Sequence, residues 1–504
     1  MATIMGITDN GPRNLLQSRC VLTLSLFLIS SVTAYGAQWT ITPSVTAKDT
    51  YSDNINLSNN DKQSDQVLEI VPAIRIQGEG RRLRLNFDYN AQGLHYFENT
   101  NDDEVNHRLR SGLNSELVEG HLFLNATANI TQQLIDERRG GSDDNISGSD
   151  NLSDVFTYEI NPYWQQKLGS EAETLLGIRY NEVNYSGNNG SGTDSSGQSL
   201  YWSVNSAPGV GPVFWRFDYN YDEVDYESQN DTERQSESIL VGYQWTPKFN
   251  TSLTVGYESQ DNDADNIRND TDGAFWLAGV EWALSRKTSL SAQYGKRYYG
   301  DTYGFNLSHQ RKRSVFTLSY SEQQQTIRDQ ILSGKFLVCP EGVVNPVECN
   351  IEDLRVGENP ESGKEVIGPP LDVTASQVDD YFISKNTNLG WYHVRKRDSF
   401  NVNAYRQERE FQTRNNNELV HGINVGWNRR LSRKVTSNVN LGWATNDFED
   451  NSDSKTWTAT FQLQRQLSRD MSGALEFATQ KRTSDIETNE YTENRISVSI
   501  RKTF

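Results

Sequence analysis

Three sets of residues have the types that chemistry needs. The run DNDADNIRNDTD places Asp261, Asp263, Asp265 and Asp272 at positions 1, 3, 5 and 12, the spacing of a calcium-binding loop. Carboxylates so spaced would wrap a hard divalent cation. Asn266 stands in the sixth place, where such loops carry glycine, Asp272 replaces the usual bidentate glutamate, and no helices are expected on either side. This candidate metal site competes with a solvated acidic loop and with diffuse bridging of lipopolysaccharide cations. The second set is Cys339 and Cys349 in FLVCPEGVVNPVECNIEDL. In an oxidising compartment they are expected to form a disulfide and close a small loop. Zinc is the alternative, but no histidine or second cysteine pair lies nearby to complete a site. The third set is His95, His107, His121, His309, His393 and His421. They are scattered, and none lies in a nucleophile motif of the kind a hydrolase requires. No catalytic residue is assigned, no cofactor is expected, and the chain reads as a non-enzyme.

The elements that must position these residues are not those of a soluble enzyme. Of 504 residues only 35% are apolar, and the mean hydropathy of -0.72 leaves little for a dry core of that size. A net charge of -19 would suit a disordered chain, yet 23 Tyr, 19 Phe and 11 Trp are far too many rings for disorder. The acidic balance argues against nucleic acid as a partner. Arg13 and Arg19 precede the apolar run VLTLSLFLISSV, which small residues follow, so residues 1–36 are expected to be a secretory signal cleaved after Ala34, Gly36 or Ala37. The run is shorter than the roughly 20 residues of a membrane-spanning helix. Cys20 lies before it and should leave with the signal.

Beyond residue 38 the period is two. In RLRLNFDYNAQGLHYF, Leu83, Leu85, Phe87 and Tyr89 alternate with Arg84, Asn86, Asp88 and Asn90. In VFWRFDYNYDEVDY, Val213, Trp215, Phe217 and Tyr219 alternate with Arg216, Asp218 and Asn220. Such runs exceed the strands of about 5 to 6 residues that soluble sheets use. A basic turn also repeats: TPKFNTSLTVGY, LSRKTSLSAQYG, LSRKVTSNVNLGW and LSRDMSGALEF align Ser252, Ser289, Ser437 and Ser472, which are 37, 148 and 35 residues apart. The unit is one hairpin of about 37 residues, with a short basic turn (also RKR at 311–313 and at 395–397) and a longer acidic, Asn-rich loop.

Long alternating strands, short turns at one end and long loops at the other predict a transmembrane antiparallel up-and-down β-barrel of about 22 strands, within 20 to 24. Closure follows because an open sheet edge in lipid would leave backbone groups unpaired. The barrel is expected to fill residues 37–504, with one long extracellular loop at 325–379. Arg84, Asn86, Asp88, Asn90, Arg216, Asp218 and Asn220 are then candidate lumen residues, while His95, His107 and His309 are in phase with the lipid side. Trp245, Trp282 and Trp427 lie within a few residues of basic turns, as rings at a membrane interface do. An even strand number places both ends of the barrel in the periplasm. Alternation beginning so close to the cleavage site leaves no room for a plug domain, so the disulfide-bearing loop is the expected occluder. The last strand, NRISVSIRKTF, ends on Phe504 and resembles the signal read by the barrel-assembly machinery.

The opening strand WTITPSVTAKDTYSDNINLS, with Pro43, Tyr51, Asp53 and Asn54, resembles that of outer-membrane β-barrels associated with PEP-CTERM/exosortase and exopolysaccharide gene clusters. The resemblance extends through the hairpin layout, the long loop and the aromatic C-terminus. It implies a Gram-negative outer-membrane location and a role as a pore or accessory for exopolysaccharide export. The alternative is a non-conducting structural or assembly barrel whose acidic loops bind surface polysaccharide or a partner protein. The partners it implies are outer-membrane lipid and lipopolysaccharide, the barrel-assembly machinery, and exopolysaccharide or export-system proteins.

Overall fold

Alternation becomes strand wherever it persists, and the faces are inverted relative to a soluble protein. In β1 (Gln38–Ser52) Ile41 is 60% exposed, whereas Thr50 and Ser52 are fully buried. An apolar outside around a polar inside is the pattern of a barrel whose outer solvent is lipid. The structure, a computed structural model, describes residues 37–504 except 135–137, 143, 149–150, 187–191, 208, 210, 228–230, 263–271, 341–349, 356–363, 368–380, 413–416 and 450–451. The expected signal 1–36, Asp263, Asp265 and Cys349 lie outside the described residues.

The first strands of the ring are β1, β2 (Asp65–Glu79), β3 (Leu83–Tyr96), β4 (Glu104–Val118), β5 (Leu122–Leu134), β6 (Leu152–Leu168), β7 (Ala172–Ser186) and β8 (Ser195–Ser206). They continue with β9 (Val213–Tyr226), β10 (Thr232–Thr246), β11 (Phe249–Asn262), β12 (Gly273–Ser285), β13 (Thr288–Arg297), β14 (Gly300–Arg311) and β15 (Ser314–Gln325). After a helix, α1 (Ile327–Leu332), the strands β16 (Ser333–Pro340), β17 (Asn350–Arg355) and β18 (Lys364–Ile367) form a separate small sheet. The ring resumes with β19 (Phe382–Val394), β20 (Asp398–Phe411), β21 (Asn417–Arg430), β22 (Val435–Phe448), β23 (Ser454–Gln466), β24 (Met471–Ser484) and β25 (Tyr491–Thr503). It has 22 antiparallel strands, and β1 closes on β25 from Ser44↔Thr503 to Ser52↔Arg495. The expected strand number and closure are both found.

Both ends of the ring, Gln38 and Thr503, lie with the short turns, such as 247–248, 286–287 and 312–313. Ser252, Ser289, Ser437 and Ser472 each fall within the first four residues of a strand that leaves such a turn. At the other end the connections range from residues 298–299 to the stretch 326–381. The long connection expected at 325–379 holds α1 and the small sheet. The helix is six residues long, too short for an apolar stripe to be legible. A capping box starts it: the Asp329 amide donates to Thr326 Oγ1 and the Thr326 amide donates to Asp329 Oδ2, both at 3.0 Å.

Candidate functional site: a lumen crossed at its loop end

The inner wall is polar, and its charges are matched strand to strand. Arg84, Asn86, Asp88 and Asn90 lie on the inner face of β3, in phase with Gln92, whose buried amide meets Asn145 inside the ring. Arg75 on β2 faces Asp88 across the ladder at 2.5 Å. Arg216, Asp218 and Asn220 lie on the inner face of β9, opposite the exposed Val213 and Trp215. Arg216 bonds Asp218 at 2.7 Å, and Asn220 donates to Ser236 Oγ at 3.5 Å.

Two segments enter this lumen from the loop end. The first is the β5–β6 connection, around residues 138–148, which reaches across to β24 and β25. Arg495 donates to Asp144 at 2.9 Å and pairs with Glu493 at 3.0 Å. Glu493, fully buried, accepts from Ser52 of β1 at 2.7 Å and from Ser147 at 2.5 Å. Gln480 and Tyr491 both donate to the Gly141 carbonyl, at 2.7 and 2.9 Å. On the near side Asn145 donates to Gln92 and Gln132 at 2.7 and 2.6 Å. Gly140 (φ 74°) and Gly148 (φ 64°) take the left-handed conformation that lets the chain double back, and the Gly148 amide donates to Ile55. Ile146 is the apolar anchor, packed with Ile55, Val67, Leu94 and Tyr96.

The second segment is α1, which joins opposite walls. Ile327, Ile331 and Leu332 pack in one buried cluster with Val155 and Val183 on one side and Phe382 and Phe411 on the other. Val155 and Phe411 belong to β6 and β20, the sixth and seventeenth strands of the ring and hence diametrically placed. A six-residue helix is about 9 Å long, and its side chains reach both walls of that cluster. Three polar clamps surround the cluster. Asp329 receives both Arg234 nitrogens, at 2.9 and 3.1 Å, a bidentate geometry. Arg328 donates to Ser195 Oγ and to the Asn181 carbonyl at 2.9 and 3.2 Å. Arg409, 1% exposed, donates to Gln330 at 3.0 Å and pairs with Glu418 at 3.2 Å.

A cavity of about 280 Å³ lies against the wall itself, lined by Arg234, Glu258, Arg297, Tyr298 and Tyr299 among others. It lies where the wall is unzipped: β14 pairs with β15 only from Gly304↔Ser321 onward, so Glu322 to Gln325 pair with β19 alone. With mixed charge, amides and rings, the lumen can hydrogen-bond a polar ligand.

The remaining candidate residues are spread over the molecule. Asp272 accepts a hydrogen bond from Tyr257 Oη at 2.5 Å and Asp261 is the penultimate residue of β11; no metal-holding cluster of carboxylates, histidines or cysteines occurs among the described residues. Cys339 lies on β16 opposite Glu365, and its expected pairing with Cys349 falls outside the described residues. His107 and His309 lie on outer faces, as does His95, which bonds Asp103 at 2.7 Å and holds that loop carboxyl below its ordinary range. Trp245 and Trp282 are exposed on the outside, and Trp427 donates to Asp398 at 3.2 Å. The Phe504 amide donates to the Pro43 carbonyl, and its ring is 68% exposed at the turn end.

The acidic, Asn-rich run DERRGGSDDNISGSDN is one of the long loops, and Asp144 within it is ion-paired inside the barrel. Its signal is present in the strands. Leu94, Tyr96, Val155 and Val183 are apolar residues on the wet phase of otherwise alternating strands, and all mark where something covers the wall.

The family described as "Putative beta-barrel porin 2" matches residues 33–298 and 383–504, leaving out β14, β15 and α1. No curated protein matches the chain. Among solved structures, the ferric enterobactin receptor of Pseudomonas aeruginosa, as a point mutant in complex with enterobactin, is similar at a TM-score of 0.50 and 9% identity, covering 93% of this chain and 82% of its own. The siderophore receptor PirA of Acinetobacter baumannii gives 0.49 and 7%, covering 92% and 81%. A loop-deleted OmpT of Vibrio cholerae gives 0.30 and 8%, covering 93% and 100%. At such identities the first likeness shows the fold alone. With well over half of its length matched by the family, the chain belongs to the beta-barrel porin 2 family of outer-membrane barrels.

Proposed function

We propose that this barrel is a pore, or an accessory to one, for exopolysaccharide export across the outer membrane, linked to a PEP-CTERM/exosortase system, and that the two inward segments gate it. The observation that supports this most is the inner wall itself. Amides, hydroxyls and charges already paired within the wall, such as Arg75 with Asp88 and Arg216 with Asp218, offer a sugar chain hydrogen bonds without a net field to trap it. The chain performs no reaction in this reading. Its partners are outer-membrane lipid and lipopolysaccharide, the assembly machinery that reads Phe504, and the exported polymer. The density of bonds around Glu493 and α1 favours one second reading, a permanently shut structural barrel whose acidic loops bind surface polysaccharide.

The test is current block. A variant with residues 138–148 replaced by a short Gly-Ser link, held in a planar bilayer, is exposed to neutral polysaccharide fragments from the turn side. Transient blocks that lengthen with chain length support export. Steady current at every fragment length would favour the structural reading.

A further inference from the structure

The short turns carry their unpaired positive charge on one flank of the ring. Six consecutive turns of the ring, those closing β10, β12, β14, β19, β21 and β23, read PK, RK, KR, RKR, SRK and SRD at residues 247–248, 286–287, 312–313, 395–397, 432–434 and 468–470. Every residue in them is exposed, and none of their cations has an ion pair among the described residues. The single acid, Asp470, is taken up by Ser468, which donates to it at 2.8 Å and holds its carboxyl below the usual range. The other four turns differ. Arg81 and Arg82 at 80–82 face Glu119 and Glu116, the next two turns carry Glu119 and Glu171, and residues 207–212 carry no charge.

The membrane boundary is nevertheless the same all round. Outward tryptophans ring the turn end, with Trp39, Trp164, Trp202 and Trp215 on the neutral flank and Trp245, Trp282 and Trp391 on the basic one. Lys248, Arg286 and Arg395 follow the last three by three or four residues. At about 3.4 Å per residue along a tilted strand, that is roughly 10 Å beyond the aromatic girdle, the level of headgroup phosphates. Arginine forks there match phosphate oxygens in pairs.

We propose that this six-turn arc binds the phosphates of anionic phospholipids in the leaflet at the turn end and gathers those lipids on one flank of the barrel. A soluble acidic partner fits less well, because turns of two to four residues stay within the headgroup layer. The inference stands independently of the export reading.

The test uses the full chain, shown to be folded by heat-modifiable gel migration, in phosphatidylcholine vesicles with phosphatidylglycerol as the minor lipid. Discs cut out with a styrene–maleic copolymer are analysed for lipid ratio by mass spectrometry. Wild type should hold phosphatidylglycerol at roughly two- to threefold its bulk share, an excess that shrinks in high salt. Substituting Arg286→Gln, Lys287→Gln, Lys312→Gln, Arg313→Gln, Lys396→Gln and Arg397→Gln together should return it to the bulk share, whereas Arg81→Gln with Arg82→Gln should not. Wild-type discs at the bulk ratio, or equal enrichment in the arc variant, would overturn the proposal. If wild type shows no enrichment but binds polyglutamate through the arc, the partner is a soluble acidic chain and the lipid assignment fails.

Discussion

The two inward segments enter one lumen and are held there by opposite means. Residues 138–148 hold on through polar bonds to strands β3, β5, β24 and β25, with Ile146 as the apolar anchor. The helix α1 buries three aliphatic side chains between facing walls and adds arginine clamps around them. Neutral hydrogen bonds exchange for water at a net of only about 1 kcal/mol each. The polar segment can therefore release bond by bond, whereas the helix must expose its whole apolar cluster to leave. The contrast assigns a readily opened barrier to one sector of the lumen and a fixed one to the other.

The sharpest way to break that contrast is Arg409→Ala. It removes the ion pair of Glu418, 4% exposed, and one hydrogen bond to Gln330. Removing one partner of a buried pair costs about 3–5 kcal/mol, so the heat-modifiable transition should fall, and replacing Arg409 and Glu418 together by Met and Leu should restore much of it. Next comes Ile331→Ala, which opens the cluster between the walls at a cost of roughly 2 kcal/mol, the lower end for a buried isoleucine because the helix can settle. Hydrogen exchange in α1 should accelerate while residues 138–148 keep their protection. Asp144→Asn should act only on the other segment. Arg495 keeps Glu493 as a partner, so the loss is about 1 kcal/mol, read as faster labelling of a cysteine placed at Ser142. Smallest is salt. Raising it to 1 M shortens the screening length from about 10 Å to about 3 Å, which should speed that labelling slightly and leave α1 exchange unchanged.

The barrel itself was legible because its code is local: alternation in β3 and β9, basic turns before Ser252, Ser289, Ser437 and Ser472, and the even strand count. The inward segments were not, because their contacts join residues far apart in the chain, 346 positions for Ser147 with Glu493 and 95 for Arg234 with Asp329. Nothing in the composition of DERRGGSDDNISGSDN distinguishes a loop that bathes in water from one that turns inside a wet lumen. The out-of-phase residues Leu94, Tyr96, Val155 and Val183 were the available clue, since an apolar side chain on a water-filled wall needs a cover.

Single-channel conductance in planar bilayers tests the central claim most directly, using wild type, the variant lacking residues 138–148, Arg409→Ala, and the two changes combined. A small wild-type current is expected, with a clear rise when the polar segment is removed and a further rise in the combination. A wild-type current already as large as that of the combined variant would show that neither segment bars the lumen.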